Sequence, residues 1–231
     1  MFSVDNLIKY FITYEGYKDL LKGLLATIQI AVLGLIIGIV IGTLIAVIRI
    51  IPPKKVIVKV LNKICDVYVA IFRGTPLVVQ LLVFYYAIPK AVGINFPQMP
   101  CAIVTFGLNS GAYVSEIMRG GILSVDSGQM EAGRSLGLKY WQSMGSIVLP
   151  QAVKNIIPTL GNEFISLVKE TSIVSFIAIM DVTKVFSDYA GSTLDFITFY
   201  LTLALVYLVI VLLITLLVRV IERRLRKGDK R

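Results

Sequence analysis

Two stretches of this chain place ionisable side chains inside otherwise apolar sequence. One is Phe72-Arg73-Gly74-Thr75-Pro76, within the apolar region 57–89; the other is Asn162-Glu163-Phe164-Ile165-Ser166-Leu167-Val168-Lys169-Glu170, within 147–180. A guanidinium is a planar fork that suits a carboxylate, so Arg73, helped by the Thr75 hydroxyl, is a candidate to hold one. The competing reading is an arginine paired to a neighbouring carboxylate or snorkelling to the interface. Pro76 removes a backbone donor and clashes with the preceding turn, while Gly74 permits the disturbance; a break is expected there, with freed backbone groups beside Arg73. In the second stretch Glu163, Ser166 and Glu170 recur at spacings of three and four, so a helix points them to one side. Asn162 and Glu163 are candidates to bind an ammonium or guanidinium. Lys169 with Glu170 reads more simply as a rim ion pair.

Other chemistries find no residues. There is no histidine, and Cys65 and Cys101 are solitary, so no metal site is expected. No Gly-x-x-x-x-Gly-Lys-Ser/Thr sequence is present to cradle nucleotide phosphates, and no catalytic residue is assigned.

The elements that must position these groups follow from hydropathy. With 231 residues, 57% of them hydrophobic, and a mean hydropathy of +0.84, the chain has more apolar surface than a soluble fold of this size hides. The net charge of +9 does not indicate nucleic-acid binding, because the basic residues flank apolar spans. Runs 24–48, 91–115 and 196–218 are uncharged and long enough for a core that needs ~20 helical residues. Regions 57–89 and 147–180 are apolar but interrupted. The uncharged part of the first, 74–89, rises only about 24 Å, so its helix must begin upstream and carry Arg73. The expectation is an all-α integral membrane protein with five transmembrane helices, about 20–48, 57–89, 97–119, 150–170 and 194–220. The mixed N-terminal sequence and the length of the first run argue against a cleaved signal.

Lys and Arg alternate between rich and poor connections. Sixteen lie after the first span, after the third and in the tail, against six on the opposite side (Lys9, Lys18, Lys22, Lys90, Lys169 and Lys184). This favours an outside N-terminus and a cytoplasmic C-terminus. Gly34, Gly38 and Gly42 line one face of the first span and read as helix packing. Pro52-Pro53 ends that span. No internal repeat suggests the matched halves of a secondary transporter.

Between the third and fourth spans lies Glu131-Ala132-Gly133-Arg134-Ser135-Leu136-Gly137, followed by Ile147-Val148-Leu149-Pro150. Its pattern suggests a carboxylate at a helix start and two short helices separated at Gly137; by pattern alone it equally describes an interfacial amphipathic helix. The spacing resembles the EAA loop of ABC importer permeases, with Gly133 where the nominal motif has a second alanine. Phe72-Arg73-Gly74-Thr75-Pro76-Leu77-Val78-Val79-Gln80 resembles the Arg-Gly-Thr-Pro signature of the polar amino-acid branch of that family, the histidine, arginine and glutamine permeases. Ala112-Tyr113 through Glu116, Arg119 and Gly120-Gly121-Ile122 is similar to the same branch, and the end of the second charged stretch resembles its Lys-x-Thr-Ser segment.

The resemblance, which covers roughly 20–225, implies the type I ABC importer permease fold with a cytoplasmic coupling helix in a loop at about 128–147, the whole chain forming one permease domain. It implies coupling through Glu131, Ala132, Gly133 and Gly137, and an amino-acid pathway containing Arg73, Thr75, Asn162, Glu163, Ser166, Glu170 and Thr171. The α-carboxylate would meet Arg73. If Glu163 faces the pathway, a cationic amino acid such as arginine, lysine or histidine is favoured over glutamate. Glu116 and Arg119 are assigned to structural pairing or gating. The implied partners are two ATP-binding subunits, which would bind ATP and Mg in place of any cofactor here, a second permease chain, identical or homologous, and an extracytoplasmic substrate-binding protein. The implied site is the prokaryotic inner membrane. A stand-alone channel or secondary amino-acid transporter, which needs no docking loop, is the alternative; a non-transporting scaffold fits less well, because buried charges are costly.

Overall fold

The computed structural model describes residues 2–51 and 55–226. Pro52, Pro53, Lys54, Lys227, Lys230 and Arg231, used above as span end and topological charges, lie outside the described residues. Among the described residues there is no strand. A short α1 (Val4–Ile8) runs through a π turn (Lys9–Thr13) towards α2 (Gly16–Ile50). Then come α3 (Val56–Gly74), α4 (Leu77–Leu82), a π turn (Val83–Ala87) and α5 (Ile88–Val92). The long α6 (Gln98–Leu123) leads to α7 (Ser127–Ser135), α8 (Tyr140–Ser143), a π turn (Met144–Val148) and α9 (Leu149–Glu170). A 3-10 segment (Thr171–Ile177), α10 (Val182–Thr193) and α11 (Phe196–Arg226) complete the chain.

By length and composition, α2 and α11 are each apolar enough to cross a membrane. The pair α3 and α4–α5 is a third if counted as one span, but it bends by 104° at its break, so the expected helix over 57–89 is two helices. Helices α6 and α9 carry too many polar side chains to qualify by hydropathy; Asn109, Ser110 and Ser115 of α6 are buried. That burial explains the low apolarity of α6, since a helix packed inside a bundle need not be apolar all round.

The glycines of α2 form the seam against α6. A Cβ at Gly38 would stand 2.6 Å from Ser110 Oγ, one at Gly42 2.6 Å from Val114 Cγ1 and 2.7 Å from Ser115 N, and one at Gly34 3.0 Å from Phe106 Cβ. Gly107 and Gly111 of α6 return the arrangement, receiving Ile37 and Ile41. Each helix therefore supplies the gaps that the other fills. In a membrane, where apolar burial does not drive helices together, such close backbone approach provides the contact energy. Beside this seam Ile30, Ala31, Leu81, Phe106 and Leu167 form the main core, and Phe186 and Phe199 anchor a second cluster with Tyr10 and Phe11 at the α1–α10–α11 end.

Helix α10 was not expected from hydropathy. Asp181 caps it, its carboxylate accepting from the amides of Thr183 (3.1 Å) and Lys184 (2.9 Å), the usual role of an aspartate just before a helix.

Gly42→Leu is expected to destabilise the purified protein by about 1–3 kcal/mol through overpacking of the seam. Leu44→Ala, on a side chain that is 61% exposed, is expected to leave the thermal midpoint nearly unchanged; a melting curve in detergent compares the two.

Candidate functional site

The break after Arg73 has a specific cause. Pro76 has no N–H, so the carbonyl of Phe72, four residues earlier, loses its helical donor. Two buried amides replace it: Gln80 Nε2 donates to Phe72 O at 2.9 Å and Asn109 Nδ2 donates to the same oxygen at 3.2 Å. Gln80 Nε2 also reaches Thr75 O (3.0 Å) and Thr75 Oγ1 (2.8 Å), while its Oε1 accepts from Asn109 Nδ2 at 3.0 Å. Thr75 Oγ1 in turn donates to Ile71 O at 2.8 Å. The freed backbone is thus sealed by side chains from α4 and α6, and Thr75 belongs to that seal.

Arg73 stands outside the seal. It is exposed, forms no ion pair among the described residues, and its guanidinium lies 5.3 Å from the centroid of the Tyr113 ring on α6. Three residues earlier on α6, the Ser110 hydroxyl donates to Glu163 Oε1 at 2.9 Å. Positions three apart share a helix face. Arg73 and Glu163, the first of the two carboxylates singled out from sequence, therefore reach α6 within a turn of each other, from α3 and α9.

The remaining candidates divide. Asn162 and Glu170 are exposed and Ser166 is half-buried, as Glu163 is. Thr171 turns inward instead: it is fully buried, with its hydroxyl donating to Val168 O at 2.7 Å, so it supports the start of the 3-10 segment. Lys169 and Glu170 form no direct ion pair, because consecutive helical residues point apart.

At the other end of α6, Glu116 accepts from Arg119 Nη2 (2.8 Å) and from Arg49, and Arg49 also holds Asp66. This group of two cations and two anions ties the end of α2 to the middle of α3 and the last two turns of α6, the structural pairing that was one of the two readings of Glu116 and Arg119.

The loop after α6 is two short helices. Asp126, not Glu131, is the carboxylate at the start of α7, its Oδ1 accepting from Gly128 N at 2.7 Å; Glu131 lies in mid-helix. Gly137 adopts φ +87°, where a side chain would be strained, and breaks α7 from α8. Glu131 and Ala132 are exposed, but Gly133 is buried against Ser143 and Ile147, both 2.8 Å from the position of its missing Cβ. From Tyr140 the chain stays helical to Glu170, through the π turn that accommodates Pro150. Helix α8, the second half of the loop, and Glu163 are therefore on one continuous helical run, which contains Pro158.

Sequence reasoning missed Gln80, Asn109, Ser110 and Tyr113 as partners. The signal for the first two was available in the rule that a proline orphans the carbonyl four residues back.

A family model described as "Binding-protein-dependent transport system inner membrane component" matches residues 34–227. The chain belongs to this family. It is a helical membrane component of a transport system that works with a binding protein. Among curated relatives of this membrane component, the putative glutamine transport system permease protein GlnP of Rickettsia bellii (strain RML369-C) is 39% identical over 206 residues, 89% of this chain and 92% of that protein. The arginine transport system permease protein ArtQ of Bacillus subtilis (strain 168) is 39% identical over 210 residues, 91% of this chain and 94% of that one. A solved amino acid ABC transporter with histidines superposes with a TM-score of 0.85 at 37% identity, covering 96% of this chain and 99% of the other.

Gln80→Leu removes the donor to two carbonyls at the break of this membrane component. It is expected to lower stability by about 1–3 kcal/mol, through loss of the Gln80 hydrogen bonds to Phe72 O and Thr75 and from Asn109, read as a lower thermal midpoint of the purified chain; Gln80→Glu, which keeps the size but not the donor, is expected to do no better.

Proposed function

We propose that this chain is the translocating subunit of an ATP-driven importer for polar amino acids, with a cationic substrate favoured. The observation that carries the reading is the convergence of Arg73 and Glu163 on one turn of α6. An α-amino acid presents a carboxylate and an ammonium a few ångströms apart, and a cationic side chain adds a second positive group. Arg73 suits the carboxylate through its forked donors. Glu163, with Asn162, Ser166 and Glu170 along the same helix, suits the positive groups and repels an anionic side chain. The relatives named for glutamine and arginine transport agree with this chemistry.

A second permease chain, identical or homologous, completes the pathway in this reading. Arg73, Asn162 and Glu170 are exposed on the single chain, and polar groups at membrane depth are costly unless they face a partner or a water-filled cavity. The five-span arrangement adds α6 and α9 to the three apolar crossings, with the N-terminus outside and the C-terminus in the cytoplasm of a prokaryotic inner membrane. The loop of α7 and α8 then faces two ATP-binding subunits, which hold ATP and Mg, while this chain catalyses nothing itself. Leu136, 83% exposed at the loop turn, and Trp141, 60% exposed, are the apolar groups that such a subunit would cover. A binding protein delivers substrate on the opposite side. Membership of a binding-protein-dependent family disfavours a stand-alone channel or secondary transporter.

Glu163→Gln in the reconstituted complex is expected to reduce arginine uptake by roughly tenfold or more, the loss of a charge-assisted hydrogen bond, and to spare glutamine uptake by comparison; unchanged arginine uptake would remove the direct role. Replacing residues 131–137 by an unrelated flexible linker is expected to abolish ATP-coupled uptake while leaving the thermal midpoint of the bundle within a few degrees; retention of coupled uptake would refute coupling through this loop.

A further inference from the structure

Arg73 is a long side chain with little to hold it. It is exposed, and among the described residues it makes no ion pair and no hydrogen bond. Helix α3 ends one residue later at Gly74, where a Cβ would meet nothing within 4 Å. A fork that must meet a carboxylate with two parallel bonds has first to be brought out of its many rotamers, and that ordering opposes binding. What holds the guanidinium is the Tyr113 ring, whose centroid is 5.3 Å away, inside the range at which a cation is drawn to an aromatic face. The backbone that carries the ring is clamped on both sides. A Cβ at Gly111 would stand 2.8 Å from Ile41 Cγ2 and 2.8 Å from Tyr68 Oη, and the fully buried Val114 fills the gap at Gly42. Tyr113 lies between these two, its ring 38% exposed, and its hydroxyl makes no hydrogen bond among the described residues.

We propose that Tyr113 is a positioning residue for substrate binding: its ring holds the Arg73 guanidinium in place for the α-carboxylate, and its hydroxyl is not needed. The inference rests on the assignment of Arg73 to that carboxylate. Arg49 provides the contrast. It is held by the carboxylates of Glu116 and Asp66, which occupy its donors and cancel its charge, so it is well placed but closed to a further anion. An aromatic ring attracts a cation through its quadrupole and supplies no carboxylate oxygen to the fork. Arg73 is therefore steadied without being neutralised, which is the state in which a guanidinium can still take a bidentate carboxylate. Ser110, one turn back on α6, holds Glu163, so the same clamped helix sets the places of both charged groups.

The test is calorimetric titration of the purified complex in detergent, with the binding protein left out, against arginine and against agmatine, which is arginine without its carboxylate. Wild type is expected to bind arginine about tenfold or more tightly than agmatine, the effect of a charge-assisted pair with Arg73. Tyr113→Leu is expected to weaken arginine binding roughly threefold to tenfold, the range of a cation–π contact, while agmatine binding and the thermal midpoint stay as in wild type. Tyr113→Phe, which keeps the ring, is expected to match wild type. Arg73→Gln is expected to erase the preference for arginine, and Tyr113→Leu added to it to change nothing further. Wild-type arginine affinity in Tyr113→Leu, an equal loss of both ligands there, or a Tyr113→Phe that behaves like Tyr113→Leu overturns the positioning role and leaves the assignment of Arg73 standing. Wild-type arginine affinity in Arg73→Gln overturns that assignment and the positioning role with it.

Discussion

The rest of the structure depends on how closely α2 and α6 cross. The glycines at 38 and 42 let α2 approach side chains and backbone of α6 at distances that no Cβ would tolerate, and Gly34 continues the tight contact. Where lipid surrounds the bundle, this contact density replaces the hydrophobic drive that holds a soluble core together. It also fixes the rotation of α6, and the polar groups of the candidate site are referred to that rotation. Asn109 seals the break in the α3–α4 region, Ser110 holds Glu163, Tyr113 lies under Arg73, and Glu116 ties in Arg49. Ser110 serves both purposes, filling the gap at Gly38 while donating to Glu163. The packing seam and the candidate site are thus one arrangement.

A division of labour among the helices follows. Helix α11 is uncharged from 196 to 218 and its apolar window is unburied within the chain, whereas α6 and α9 carry polar side chains and lie within the bundle or along the proposed pathway. The rod from Tyr140 to Glu170 joins the two ends of the molecule. A displacement imposed on α8 reaches Glu163 along backbone that is helical throughout, because the π turn at Met144–Val148 keeps the chain helical past Pro150 and α9 continues through Pro158. Such a rod transmits motion as a rigid element between two packings rather than by local deformation.

Much of this was legible in the residues. The glycine spacing on α2 announced a close crossing, Gly74-Thr75-Pro76 announced a break, and Gly137 announced the division of the loop. Other features were not legible, for physical reasons. Hydropathy detects a bend only as an interruption, so the 104° turn at Pro76 was hidden inside one apolar run. Helix α10 is short and mixed in character, and only its Asp181 cap marks it. The sequence pattern points to Glu131 as the carboxylate at the helix start, whereas Asp126 caps that helix, since both are acidic residues near a polar-to-helical transition. Thr171 shares a sequence pattern with its neighbours, but the change from α to 3-10 geometry after Glu170 turns its hydroxyl inward. The partnership of Gln80 with Asn109 is a contact across 29 residues, which periodicity along one strand of sequence does not encode.

The seal at Pro76 is built from two side-chain amides and the Thr75 hydroxyl, all of them neutral. Neither Gln80 nor Asn109 takes up or releases a proton, and neither carries net charge. A titrating group in the same place would loosen as pH changed, and a charged one would respond to the membrane potential, which acts on each elementary charge with about 2.3 kcal/mol per 100 mV. The seal itself therefore carries no group that answers to a proton gradient or a membrane voltage. Its shape follows the helices packed against it.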